Sequence, residues 1–144
     1  MVIKKLAQSD MDDALKLVLN VFMMYEAPDY IDEGINTFRS CIGNQDYIDS
    51  LTLYGAFDNN KVIGVIATRN EGNHIALFFV DGKYHRQGIG KRLFNIVIEN
   101  STSIKITVNS SPYAIEAYHH LGFIDTNIEQ LTDGMRYTPM IYTK

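Results

Sequence analysis

The hydrophobic positions change period along the chain, and each change marks an element. Val2 to Ala7 reads as a first strand. Met11, Leu15, Val18 and Phe22 then recur at helical spacing. Ser9, with Asp12 three residues on, has the form of a capping box, and this helix is expected to run to about Tyr25. EAPDYIDEG reads as a connection and Asp32 to Cys41 as a second helix. LTLYGAF, DNNK and VIGVIATR form a hairpin pattern around an Asn-containing turn. After EGN comes HIALFFV, a nearly continuous apolar run that suits a strand buried on both faces. Ile89, Leu93 and Val97 mark one face of a further helix, and IKITVN a further strand. Ser111 and Pro112 open the next helix, with proline at its favoured first position, and Gly122 closes it. FIDTNIEQL and MRYTPMIYT read as a closing antiparallel pair, in which Pro139 limits pairing on one side.

The order is therefore β-α-α-β-β-β-α-β-α-β-β. The βαβα middle favours parallel pairing and the flanking hairpins favour antiparallel pairing. Together they predict an α/β fold: a mixed, mostly antiparallel central sheet of about seven strands with helices on both faces. With 144 residues, 46% of them hydrophobic and 21% charged, residues 1–144 are expected to form one globular domain. The net charge of −4 argues against a general nucleic-acid binder. A single cysteine, Cys41, excludes an intrachain disulfide and suits a reducing compartment. No secretory or membrane-spanning pattern is found, so the expected setting is soluble and cytoplasmic, with no membrane partner.

One stretch does not fit ordinary helix-building. YHRQGIGKRLF places Gly88 and Gly90 at the start of an apolar helical pattern, although each glycine inside a helix costs about 1 kcal/mol relative to alanine. The segment follows a buried strand and opens a helix, where open α/β sheets tend to bind ligands. The first amides of a helix lack intrahelical partners and can be shared by a phosphate. Arg86, Lys91 and Arg92 add positive charge. A P-loop string is absent, and Leu93 stands where a dinucleotide fingerprint needs its third glycine. The two glycines alone are equally well read as a tight turn with no ligand.

HIALFFVDGKYHRQGIGKRLF resembles the acyl-CoA-binding segment of the GNAT N-acetyltransferase superfamily. The family signature R/Q-x-x-G-x-G/A corresponds to His85-Arg86-Gln87-Gly88-Ile89-Gly90, with His85 departing at the first position. VNSSPYAIEAYHHLGF resembles the family's second block, a strand end followed by a helix ending in L-G-F. The resemblance covers most of the chain and implies the GNAT fold, acetyl-CoA as acyl donor and no metal. It places the pyrophosphate on the loop from His85 to Lys91 and the pantetheine arm along Phe78, Phe79 and Val80. It also implies that IKITVN splays from that strand, that Asn109 can hydrogen-bond the arm, and that Tyr118 is the general acid beside the sulfur.

Acyl transfer to an amine needs a neutral nucleophile. At pH 7 that costs about 4.6 kcal/mol for a lysine-like amine and about 1.4 kcal/mol for an α-amino group. Glu26, Asp29 and Glu33 lie in the segment expected to line the acceptor site, and Glu26 is the first choice for a base. Solvated loop charges, or transfer with no dedicated base, are the alternatives. Tyr118 also suits a core position, since Ala114, Tyr118 and Leu121 share one helical face. Neighbouring His119 and His120 point about 100° apart and, with His74 and His85, form no metal set. The expected function is acetyl transfer from acetyl-CoA to a primary amine on a small molecule or peptide. A non-catalytic acyl-CoA sensor and an assembly module are the rivals, and a homodimer paired through a sheet edge is compatible with the fold.

Overall fold

A computed structural model describes residues 1–144. Its sheet has eight strands: β1 (Val2–Lys5), β2 (Thr52–Asp58), β3 (Lys61–Arg69), β4 (His74–Val80), β5 (Lys105–Ser110), β6 (Ile124–Asp125), β7 (Gln130–Thr132) and β8 (Met135–Thr143). The spatial order is β1-β2-β3-β4-β5-β8-β6, with β7 also paired to β8. Every pairing is antiparallel except β4 with β5. The eighth strand arises because FIDTNIEQL breaks into two short strands. Pro139 sits between the part of β8 that pairs with β7 and the part that pairs with β6. Its carbonyl still accepts the Thr126 N–H at 2.9 Å, but it has no N–H of its own to extend the ladder.

Helices cover both faces. α1 (Met11–Val21) and α2 (Asp32–Ile42) lie on one side, joined there by a short helix, α3 (Gln45–Asp49), that hydrophobic periodicity does not reveal. Asn44 caps α3, its side chain accepting the Tyr47 N–H. α4 (Ile89–Asn100) and α5 (Ile115–Leu121) lie on the other side. The first core holds Val18, Phe22, Phe38 and Phe79, with the Phe22 and Phe38 rings stacked 3.8 Å apart. The second holds Leu93, Phe94, Ile106 and Phe123. Burying one such aromatic ring contributes about 1.5–3 kcal/mol.

Two local readings need correction. Ser9 does not cap the first helix; it lies in a 3₁₀ turn (Gln8–Asp10), where the Asp10 carboxylate accepts the Ala7 N–H at 2.9 Å. Nor does α1 run on regularly to Tyr25. Phe22–Glu26 forms a π-helical turn closed by Ala27 N–H on the Phe22 carbonyl, and a 3₁₀ turn (Ala27–Asp29) follows. The connection EAPDYIDEG is thus largely wound rather than open.

The register of β4 sets up the rest. Ala67 faces Leu77, but Thr68 faces Ile75, so Ala76 is an extra residue in the strand. This bulge puts Ile75 in the second core while Leu77 stays in the first. Beyond it, β4 and β5 separate. They pair only at His74–Thr107 and Ile75–Val108, and Ala76–Val80 have no partner on that side.

The far wall of this gap is the β7–β8 hairpin, held against α2. Gly34 meets the backbone of Gly134 so closely that a Cβ on either would run into main-chain atoms. The Thr37 hydroxyl donates to the Asp133 carbonyl at 2.7 Å. Helix propensity favours alanine at position 34 by about 1 kcal/mol, whereas overpacking against backbone costs about 1–3 kcal/mol or more. Gly34→Ala is therefore expected to lower the unfolding free energy in urea titration and to displace the hairpin; equal or greater stability would show that the contact is not tight.

Candidate active site

The separated strands open onto a cavity of about 300 Å³. Ala76, Phe78 and Phe79 of β4 line one side and Val108 and Asn109 of β5 the other, with Tyr118 and Glu26 between them. α2 and the β7–β8 hairpin complete it. Successive β residues direct their main-chain groups to opposite sides. Asp81 N–H donates to Ile63 on β3, so the N–H and C=O groups of Phe78 and Val80 point away from β3, into the gap. A buried strand left with open hydrogen-bonding groups is costly unless something fills them.

At the end of β4 the chain turns through a 3₁₀ turn (Gly82–Tyr84), with the Asp81 carboxylate accepting the Lys83 N–H at 2.9 Å. His85 Nε2–H donates to the Val80 carbonyl at 2.7 Å. The residue that departs from the family signature thus closes one acceptor in the gap and ties the loop to the strand. Gln87 donates to the Lys83 carbonyl at 3.3 Å. Arg86 has φ 63° and Gly88 φ 79°, both left-handed. That conformation explains glycine at 88, and no atom lies within 4 Å of where its Cβ would stand. At Gly90 a Cβ would make only ordinary contact with the Phe78 ring, at 3.6 Å.

The first main-chain bond of α4 is Arg92 N–H to the Gly88 carbonyl. The amides of Ile89, Gly90 and Lys91 are left without intrachain acceptors at the positive end of the helix. Arg86, Lys91 and Arg92 are exposed beside them. Three open amides, three cations and a left-handed glycine facing clear space fit a pyrophosphate. The open groups of β4 fit the amide-bearing arm of CoA.

Tyr118 comes from α5, with its ring buried against Phe78 at 5.9 Å and Phe123 at 5.2 Å. Its hydroxyl forms no intrachain hydrogen bond, yet no side-chain polar atom is sealed from solvent without a partner; the oxygen therefore opens onto the cavity. Burial, then the nearby Glu26 charge, push its pKa above the usual phenol range, so it stays protonated. Phe78 touches both the Gly90 turn and Tyr118, making one continuous surface from α4 to α5.

Glu26 reaches the cavity from the π-helical turn. Burial raises its pKa to about 7, against the opposing effect of the Ser111 side chain and with a smaller raising effect from Asp29. Asp29 and Glu33, the other acidic candidates, are exposed and do not line the cavity. The four histidines lie apart, each with its own partner: Thr107, Val80, Asp125 and Glu116 for His74, His85, His119 and His120.

Sequence reasoning missed several contributors. Ser111 read only as a helix start. Arg136 carried no local signal, yet its Nε and one Nη donate to the two Glu129 oxygens, at 3.2 and 3.1 Å, and the other Nη to the Asp29 carbonyl at 3.1 Å. Tyr30 donates to the Arg136 carbonyl at 3.3 Å. This clamp fixes the acidic turn to β8.

A model of the GNAT acetyltransferase domain matches residues 26–144, and the chain belongs to that family. No curated protein matches it in sequence. Among solved structures it is similar to a GCN5-related N-acetyltransferase from Rhodopseudomonas palustris, at 15% identity and TM-score 0.86, over 99% of this chain and 95% of that one. It is also similar to YjaB from Escherichia coli, in its apo form, at 15% identity and TM-score 0.75, covering 99% and 98%. PaiA N-acetyltransferase from Thermoplasma acidophilum, solved with coenzyme A, matches at 18% identity and TM-score 0.70, covering 99% and 98%. At these identities the likeness establishes the fold. No helix is long and apolar enough to cross a membrane.

The raised pKa of Glu26 has a stability consequence. Its native carboxyl holds a proton up to about pH 7, whereas the unfolded one releases it near 4.5. Its favourable contribution is complete below the unfolded value and is lost as pH rises through the native one. Across that window the wild type is expected to lose on the order of 3 kcal/mol relative to Glu26→Gln. Parallel urea titrations at pH 4.5 and 7.5 measure this, and identical pH trends in the two proteins would contradict it.

Proposed function

We propose that residues 1–144 act as one N-acetyltransferase domain that moves an acetyl group from acetyl-CoA directly to a primary amine. The carrying observation is the gap: Phe78 and Val80 leave open main-chain groups between the α4 amides and a cavity that holds Tyr118 and Glu26. The amides of Ile89, Gly90 and Lys91 would hold the pyrophosphate, with Arg86 and Lys91 adding charge. Gln87 and His85 keep the loop in shape. The Phe78 groups and the Val80 amide would hold the pantetheine arm, with Asn109 on the facing strand and the Phe79 side chain turned into the first core.

Acetyl-CoA supplies the acetyl group as an activated thioester. Glu26, poised near neutrality, takes one proton from the acceptor ammonium and passes it to solvent. Tyr118 gives its proton at the sulfur as the C–S bond yields to the new C–N bond. The second proton lost by the nitrogen restores Tyr118. A phenol held firmly protonated suits a donor, and a carboxyl near pH 7 suits an acceptor. The side chains outside the proton path exclude water and hold the two ends together, which favours direct transfer with no covalent intermediate on the protein.

Tyr118→Phe is expected to lower kcat at least about 100-fold, the usual scale for losing a general acid, with CoA affinity unchanged within about 2-fold. Thiol release and calorimetry measure the two; unchanged turnover removes Tyr118 from this role. Gly88→Ala is expected to cost about 1 kcal/mol in stability, because alanine resists positive φ, and to weaken CoA binding about 10-fold by crowding the amides. Full CoA affinity in that variant would argue against the loop as the phosphate site.

A further inference from the structure

The acceptor end of the cavity is largely apolar, and its one cation is already paired. Fifteen of the 22 lining residues are hydrophobic. The only charged ones are Glu26, Asp133 and Arg136. Away from α4, the walls are Phe38, Cys41 and Ile42 of α2, Tyr47 of α3 and Leu77 of β4. All five are buried or half-buried. Arg136 is the one cation, and its guanidinium is already paired with both Glu129 oxygens, with a third N–H on the Asp29 carbonyl. Asp133 lies on the exposed hairpin tip, at the rim, where solvent screens its charge. Inside, Glu26 stands as the one carboxylate with no cationic partner.

This arrangement discriminates between amines. An acceptor bearing a carboxylate would bring a second anion beside Glu26 and find the only lining cation already paired with Glu129. A polyamine would place its further ammonium groups among Phe38, Ile42 and Leu77, where the nearby acceptors are neutral hydroxyls such as those of Thr37 and Tyr47. Burying an unpaired charge is far more costly than forgoing one apolar contact. A compact apolar or aromatic body meets matching walls, and a single ammonium meets Glu26.

Resting on the acetyl-transfer reading above, we infer that the acceptor is a small primary monoamine on an uncharged, apolar or aromatic body. The site selects against amino acids and polyamines by withholding partners for their extra charges.

The test uses the intact wild-type protein with acetyl-CoA and three acceptors: phenethylamine, phenylalanine and spermidine. Phenethylamine and phenylalanine share the ring and differ by the carboxylate; spermidine carries several ammonium groups and no ring. Thiol release and mass spectrometry of the acetylated product give kcat/KM for each, and calorimetry gives CoA affinity independently. Phenethylamine is expected to lead each of the others by roughly 30-fold or more, the scale of leaving one buried polar or charged group unpaired. Comparable or better kcat/KM for phenylalanine or spermidine would overturn the inference while leaving acetyl transfer intact. No turnover of any acceptor would overturn it too, and the calorimetry would then show whether the CoA site fails as well. In the Cys41→Asp variant, which adds a carboxylate to the acceptor wall, the spermidine-to-phenethylamine ratio should rise at least about 10-fold. An unchanged ratio, with the variant folded by circular dichroism, would place the acceptor elsewhere.

Discussion

The strand pair β4–β5 comes apart after two residues of pairing, and the rest of the site depends on that separation. A continuous ladder would bury the main-chain groups of Phe78 and Val80 in ordinary sheet hydrogen bonds and close the cavity. Instead the extra residue Ala76 redirects β4, and the strand past it keeps its bonds only to β3. The sheet tolerates this because both sides of the opening are otherwise held. β5 pairs with β8 along its whole length, from Lys105–Thr143 to Ser110–Thr138. Each half therefore remains a stable surface without the missing pairs.

The opening would be of little chemical use if its ends were not also arranged. At one end α4 begins with amides that cannot bond within their own helix, a direct consequence of helix geometry. Its placement over Phe78 brings that end to the open strand. At the other end the π-helical turn after α1 carries Glu26 into the cavity and Tyr25 onto Gly82, where a Cβ would collide with the tyrosine ring and hydroxyl. Tyr25 also packs near His85, with ring centroids 5.1 Å apart. The acidic turn and the loop before α4 are thus coupled through one aromatic contact, although nearly sixty residues separate them.

The electrostatics follow from what the cavity lacks. Burial keeps Tyr118 protonated and lifts the pKa of Glu26 to about 7, and no cation inside the cavity opposes either shift. The Arg136 clamp contributes here as well. By pairing with Glu129 and the Asp29 carbonyl it stabilises the wall and leaves its charge compensated at the rim. The same shortage of counter-charge governs both the proton chemistry and the proposed choice of acceptor.

Much of this was legible in the linear order of residues. The alternation in the hairpins, the apolar run of β4, the glycine pair and the L-G-F helix end fixed the order of elements, the mixed sheet and the strand-to-helix turn ahead of α4. These are local properties, because period, turn chemistry and helix-end amides belong to short stretches of chain. What needed the folded molecule was everything resting on distant partners: the Ala76 bulge, the contact of Gly34 with Gly134, the influence of Ser111 on Glu26, the clamp on Arg136 and the capping of Val80 by His85. Ser9 and the length of α1 were misread because a short 3₁₀ turn and a π turn leave hydrophobic spacing almost unchanged. Side-chain type sets which backbone a segment prefers, but burial and the identity of a partner across the sheet arise only when separate segments share one space. The glycine turn ahead of α4 was therefore visible in the sequence, while the raised pKa of Glu26 and the largely apolar lining of the cavity were decided by the tertiary structure.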